Sequence, residues 1–304
     1  MCGIVGLHLK VAAREHELGA LLTPMVSCMS TRGAESAGLA FFSDPVGAGQ
    51  YRYSVRLAAE WVEDPAERAE DLAKELAVAL DQEVVCERAR PDGVVLVALD
   101  DVDRVTRELE RLRPEAVIMG YGRSLEIIKD TGTPQQVCAR FDVSARHGFQ
   151  AIGHTRMATE SAVTIDGSHP FAPTHDLAIV HNGSFSNPST VRRKLEEQGI
   201  ICVTENDTEV AARLIGLELS RGNGIEVALK EVGREMDGFY TLLVATDREI
   251  AVVRDSFACK PMVVAETDEY VAFASEYIAM TSLPGIESAR VFEPKPEEIH
   301  VWQR

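Results

Sequence analysis

No CxxC pair occurs among the six cysteines of this 304-residue chain. Cys2, Cys28, Cys86, Cys138, Cys202 and Cys259 are widely scattered, which fits neither a disulfide framework nor a zinc or iron–sulfur site and points to a reducing, cytoplasmic setting. Positive charge is also scarce: 31 basic residues stand against 48 acidic ones, a net charge of −17. That balance argues against nucleic acid and against an anionic membrane surface as partners. Long apolar runs are missing; the longest, such as Val94 to Leu99, are strand-sized, and no basic segment leads into an apolar one at the start of the chain. Neither a membrane span nor a secretory leader is expected, so the sequons at Asn182 and Asn206 say nothing of glycosylation. Gly120-Tyr121-Gly122 and Gly222-Asn223-Gly224 lack the third glycine of a dinucleotide fingerprint, and there is no GxxxxGK or GxSxG motif. Flexible linkers, repeats and low-complexity tracts are absent as well.

What is present is a chain with 45% apolar residues, enough to bury one large core, read here as a single domain over residues 1–304 carrying an insertion. Gly3 to Leu9 reads as a buried strand. Leu18, Leu21, Leu22, Met25, Val26 and Met29 fall at helical spacing, and Arg32 to Gly38 form a loop before a strand at Leu39 to Phe42. Residues 58–114 predict a small inserted α/β unit. Asp64-Pro65-Ala66-Glu67 starts a helix with Ala69, Leu72, Ala73, Leu76 and Leu80 on one face, followed by a strand at Val94 to Leu99, a helix through Val102, Val105, Leu109 and Leu112, and a strand at Ala116 to Met119. Later, Leu125 to Lys129, Ala151 to Arg156 and Leu177 to His181 read as strands, with a short helix from Thr133-Pro134 to Arg140 and another opening at Asp207. Tyr240 to Ala245 with Ile250 to Arg254, and Met262 to Ala265 with Val271 to Ala274, read as hairpins. Antiparallel hairpins packed with helices indicate an α+β layered fold rather than a parallel βαβ sheet.

Several residues have chemistry in reach, each beside a plainer role. Removal of Met1 would leave Cys2 as a thiol and a free α-amine on one carbon skeleton, with ordinary pKa values of about 8.5 and about 8, and an N-terminal nucleophile served by its own amine is a known device. The plainer role is a small apolar residue opening a strand. Asn182-Gly183 after a strand is a common two-residue hairpin turn, or else a side-chain amide and a backbone N–H aimed at an oxyanion. Arg156 is either a salt-bridging arginine or a planar fork for a carboxylate. Asp207 either caps the following helix or holds an ammonium. His154, His169, His175 and His181 match no short metal-ligand spacing and read as packing or hydrogen-bonding residues.

Together the motifs resemble one family. Met1-Cys2-Gly3-Ile4-Val5-Gly6, Arg32-Gly33-Ala34-Glu35-Ser36-Ala37-Gly38, Gly153-His154-Thr155-Arg156, His169-Pro170-Phe171, His181-Asn182-Gly183 and Glu205-Asn206-Asp207-Thr208-Glu209 look like a class II glutamine amidotransferase, an N-terminal nucleophile hydrolase. That resemblance implies a four-layer αββα sandwich of two antiparallel sheets, Cys2 as the nucleophile, and Asn182 and Gly183 as oxyanion donors. It also implies that Arg156 and Asp207 bind the glutamine α-carboxylate and α-ammonium, with Thr159 and Arg32 shaping the pocket. Within the family, Arg156-Met157-Ala158-Thr159-Glu160-Ser161 and the Glu205–Glu209 run resemble the amidotransferase subunit of glutamate synthase-like enzymes, N-methylglutamate synthase in particular. The implied setting is a cytoplasmic hetero-oligomer. This chain would carry no cofactor and no metal; partner synthase subunits would carry FMN and iron–sulfur centres and accept the ammonia, docking on the inserted unit. The alternatives are a non-catalytic structural or regulatory subunit, the glutaminase of a phosphoribosyl-type amidotransferase, or a hydrolase of another amide.

Overall fold

Gly3–Leu9 (β1) is buried along its whole length, and the structure, a computed structural model, places it in the middle of the molecule's largest sheet. Residues 2–57, 65–157 and 164–304 are described. After β1 come α1 (Leu18–Cys28), β2 (Ser36–Phe42), β3 (Gln50–Arg56), α2 (Pro65–Leu80), β4 (Val85–Arg90), β5 (Gly93–Leu99), α3 (Val102–Leu112), β6 (Val117–Gly122), β7 (Leu125–Thr131) and α4 (Pro134–Arg140). The second half runs β8 (Gln150–Arg156), β9 (Leu177–Phe185), α5 (Pro188–Glu196), α6 (Asp207–Ser220), α7 (Ile225–Glu235), β10 (Gly238–Thr246), β11 (Glu249–Arg254), β12 (Val263–Glu266), β13 (Tyr270–Ala274), β14 (Arg290–Phe292) and β15 (His300–Gln303).

The strands form a seven-stranded sheet in the order β14-β12-β13-β1-β8-β2-β7, a four-stranded sheet β15-β11-β10-β9 and a third sheet β4-β5-β3-β6. Their recorded pairings are antiparallel. Alternation along each strand sorts side chains between the two faces of its sheet. In the first two sheets one set of faces meets in the middle, where Ile4, Phe42, Ile127 and Ile152 pack against Val180, Leu243, Ile250 and Val252. The outer face of the first sheet packs on α1 and α4 through Leu22, Met25, Val26 and Val137. The outer face of the second packs on α5, α6 and α7 through Val191, Leu195, Ile215 and Val232. Helix, sheet, sheet, helix is therefore the layer order: the α+β, four-layer αββα sandwich expected from the motifs.

The third sheet carries a core of its own, with Tyr53, Val55, Val94 and Leu96 under Leu72, Leu76, Val105 and Leu109 of α2 and α3. The buried face of α2 is the stripe read from the sequence, Ala69, Leu72, Ala73, Leu76 and Leu80; its expected cap at Asp64 lies outside the described residues. The sheet reaches past 58–114 at both ends, taking in β3 and β6, so the unit spans Gln50 to Gly122. Two local expectations change. Ser36, Ala37 and Gly38 are not loop but the start of β2, pairing with β7 and β8. Asn182-Gly183 is not a turn: β9 continues through it to Phe185, with Asn182 opposite Thr241 and Gly183 opposite Tyr240. Pairing across nine residues of β10 outweighs the local turn preference of the dipeptide.

Candidate functional site

The end of β1 defines the site. Gly3 pairs with Thr155 in β8, so Cys2 and Arg156 are the next residues outward on adjacent strands. Glycine at position 3 is a packing requirement, since a Cβ there would lie 2.8 Å from Thr155 Oγ1 and 2.9 Å from Met29 Cβ. Ile4 fixes the strand on its other side, donating its N–H to Ser275 Oγ at 2.9 Å while its carbonyl accepts from Ser275 N at 2.9 Å.

Two donors converge on the carbonyl oxygen of Cys2. Arg32 Nε donates at 2.9 Å and Asn182 Nδ2 at 3.3 Å. Arg32 is buried and its Nη1 is paired with Glu276 at 2.7 Å, so the guanidinium is pinned between the terminal strand and the segment after β13. It reaches that place because Gly33 lies flat on β8; a Cβ at Gly33 would sit 2.5 Å from the Arg156 carbonyl carbon. Asn182 approaches from the second sheet. Its neighbour Gly183 is exposed, has φ +157, and would put a Cβ 1.9 Å from Phe239 O. Only glycine lets the two strands pass there while leaving backbone open beside the Asn182 amide.

Arg156 and Asn206, the residue before Asp207, are joined through one loop carbonyl. Arg156 Nη1 donates to Gly167 O at 2.9 Å, and Asn206 Nδ2 donates to the same oxygen at 3.0 Å. The structure gives the helix cap to Asn206, whose side chain accepts from Thr208 N at 2.9 Å. Asp207 is the first helical residue, and its carboxylate instead accepts the Phe185 N–H at 2.8 Å, two residues past Gly183. An acid in the first turn of α6 also suits the positive end of the helix dipole. Of the site residues expected from the sequence, the structure thus brings Arg32, Asn182 and Arg156 to Cys2 and ties Asp207 to the Gly183 strand and the Arg156 loop. Thr159 lies outside the described residues.

Behind this arrangement is a buried histidine group that sequence separation concealed. His154 and His169 stack with ring centroids 4.1 Å apart, and His169 Nε2 and His181 Nδ1 lie 2.9 Å and 2.8 Å from Thr208 Oγ1. The Thr208 hydroxyl has a single proton, so at least one of those imidazoles must donate to it. His154 Nε2 faces the His181 carbonyl at 2.9 Å and must donate too. Burial, reinforced by the neighbouring His181, pushes His154 down to about 3. Burial pushes His181 down to about 4 against the opposing pull of Asp207. His169 is lowered by burial and by both other rings. All three are neutral at neutral pH and act as hydrogen-bonding spacers between the sheets and α6, as their spacing suggested. His175 lies apart, stacked on Tyr51 at 5.5 Å. No group of His, Cys, Asp and Glu with metal-holding geometry occurs among the described residues, and no described helix is long and apolar enough to cross a membrane.

Glu276 and Glu209 were not read from the sequence as part of the site. Glu209 had a signal, because Asn206 and Glu209 have the spacing of a capping box. Its carboxylate goes instead to Val203 N at 2.9 Å and Thr204 N at 2.7 Å, holding the approach to α6. Glu276 had none, being 244 residues from Arg32.

The chain is similar to several known proteins. A glutamine amidotransferase domain family matches residues 154–282. The glutamine amidotransferase-like protein GlxB of Rhizobium meliloti (strain 1021) is 46% identical over 302 residues, covering 99% of this chain and 98% of that protein. A protein of Methanothermobacter thermautotrophicus, also named for a glutamine amidotransferase, is 28% identical over 312 residues, covering all of both chains. Among solved structures, the glutamine phosphoribosylpyrophosphate amidotransferase of B. subtilis superposes with a TM-score of 0.62 at 20% identity. That match covers 99% of this chain and 47% of that one, a likeness of fold.

Proposed function

This chain belongs to the class II glutamine amidotransferases, and from that premise we propose that it hydrolyses the side-chain amide of glutamine to glutamate and ammonia with Cys2 as the nucleophile. After removal of Met1, the α-amine takes the thiol proton and the sulfur attacks the γ-carboxamide carbon. Asn182 Nδ2 and the Gly183 N–H stabilise the tetrahedral oxyanion. The amine then returns the proton to the departing ammonia, and water cleaves the resulting thioester. Arg156 holds the α-carboxylate of glutamine in a two-pronged contact and Asp207 holds its α-ammonium. Arg32 fixes the position of Cys2.

The observation that carries this reading is the convergence of Arg32 and Asn182 on the Cys2 carbonyl. A cysteine that merely opened a strand would not require a buried guanidinium and an inter-sheet amide to hold its backbone. Pre-positioning of this kind is where much of the rate enhancement of an acyl-transfer enzyme arises. The ammonia is consumed by a partner synthase of the glutamate synthase or N-methylglutamate synthase type, carrying FMN and iron–sulfur centres and docking on the Gln50–Gly122 unit in a cytoplasmic hetero-oligomer.

The direct test is a glutaminase assay on purified Cys2→Ala protein, alone and with its co-purified partners. The expected result is a folded protein with no glutamine hydrolysis, and a complex that still turns over with free ammonia. Glutamine hydrolysis by Cys2→Ala would refute the assignment. Loss of ammonia-dependent turnover as well would instead favour a structural role.

A further inference from the structure

On the far side of the Arg156 loop, Lys129 of β7 is 5% exposed, and among the described residues its ammonium makes no hydrogen bond. Nζ sits 5.0 Å from the centroid of the Phe171 ring, a cation–π contact, at the wall of a cavity of about 310 Å³ between β6, β7 and the start of α6. The remaining wall is largely apolar, with Ile118 and Met119 on one side and Phe171 and Pro173 on the other. A buried ammonium facing an apolar cavity is costly unless something pairs with it.

The neighbouring charges are already matched. Glu209 accepts from Val203 N, Thr204 N and Thr204 Oγ1 and pairs with Arg213 at 3.2 Å. Asp166 pairs with Arg56 at 2.7 Å. Among the described residues these two carboxylates and two guanidiniums cancel, which leaves Lys129 as one surplus positive charge there. Burial pushes the Lys129 amine down to about 8, with Asp166 and Glu209 pulling up and Arg56 pushing down.

We propose that this cavity binds a small monocarboxylate with a short apolar chain, its carboxylate on Lys129 and its chain against Met119 and Phe171. One negative charge neutralises the surplus, and the apolar wall takes the hydrocarbon part, the usual division of labour in a ligand pocket. The site is distinct from the glutamine site but adjoins it. Asp166 lies one residue from Gly167, whose carbonyl holds Arg156 and Asn206, and Glu209 shares the first turn of α6 with Asp207. An occupant therefore bears on the loop that orients Arg156, and it acts as an effector of glutamine binding.

The test is calorimetric titration of the full chain with acetate, butyrate and hexanoate, with butylamine and butanol as matched controls, and it is independent of any glutaminase activity. The acids are expected to bind and the controls not to. Binding should weaken as pH rises past about 8, where the Lys129 amine loses its charge. Lys129→Met is expected to weaken binding at least about tenfold, the loss of one close charge pair. Met119→Trp, which fills the cavity and leaves Lys129 in place, should abolish it and keeps the test open if Lys129→Met does not fold. Failure of the wild-type chain to bind any of the acids, or undiminished binding by either folded variant, would overturn the proposal.

Discussion

The two-sheet body and the Gln50–Gly122 unit are built to opposite plans. The body closes over a shared apolar interior between its sheets, and at the strand ends beside Cys2 it sets the polar side chains of Arg32 and Asn182. The unit has an apolar core of its own under its helices and sends Met119 into the body's interior, but much of the face it turns to the body is a seam of arginines. Arg90 Nη1 donates to Ile127 O at 2.6 Å while its other nitrogens grip Asp92, and Ser54 Oγ accepts from Ile127 N at 2.9 Å. Arg88 pairs with Glu126, and Arg56 with Asp166. An apolar interface tolerates sliding, whereas hydrogen-bonded charges fix one register. The contrast separates what the molecule needs for chemistry from what it needs to keep an appended unit in place.

Substitutions in the two regions should therefore fail in different ways. The largest effect is expected in the body: Asn182→Ala should lower kcat for glutamine roughly a hundredfold or more, as for loss of one oxyanion donor, with little change in unfolding temperature. Steady-state kinetics beside a thermal melt would show the division, and an unimpaired kcat would remove Asn182 from the chemistry. The next effect belongs to the seam. Arg90→Met strands the buried Asp92 carboxylate and the Ile127 carbonyl, and should cost about 3 kcal/mol of stability. Denaturant unfolding would measure that cost, while kcat in the folded fraction should stay within about twofold, as for distant sites. A large fall in kcat with unchanged stability would erase the distinction between the regions.

The last effect is a histidine pH dependence confined to the body, because residues 50–122 contain no histidine. His154 and His181 are held at about 3 and about 4, below their ordinary 6.5. Between those values and 6.5 the unfolded chain holds more protons than the folded one, so stability rises with pH. The full contribution is present above pH 6.5 and is lost progressively as pH falls toward 4. Melts at pH 7.5, 6 and 5 should trace the loss, and His154→Asn should flatten it. A profile unaffected by that substitution would mean that His154 does not titrate on unfolding as described.

The same contrast explains what could be read from the sequence. Helices α2 and α3 were legible because their apolar stripes are local, and the β10–β11 hairpin because both strands and the turn lie in one short stretch. Helix α7 carried a usable signal in Ile225, Ala228, Leu229 and Val232, which are its buried residues. Strand β3 carried one in the alternation of Tyr51, Tyr53 and Val55 with Arg52, Ser54 and Arg56; neither element was recognised. The seam was not legible: nothing in the spacing of Arg88, Arg90 and Glu126 shows that they face one another. Asn182-Gly183 illustrates the converse, a strong local signal overruled by long-range pairing. At the site, Cys2, Arg32, Arg156, Asn182 and Asp207 were found only as a combination of motifs, since each alone has an ordinary role. The histidine group escaped because its members are far apart in the chain and meet only in the folded protein.

The central claim is that Cys2, freed of Met1, is the nucleophile. Incubating the active protein with an electrophilic diazoketone analogue of glutamine and sequencing its N-terminal peptide by mass spectrometry tests this most directly. The account predicts a peptide that begins at Cys2 and carries the label on its sulfur, with glutaminase activity lost in step with labelling. A fully active protein that retains Met1, or one inactivated by label on another residue while Cys2 stays unmodified, would contradict it.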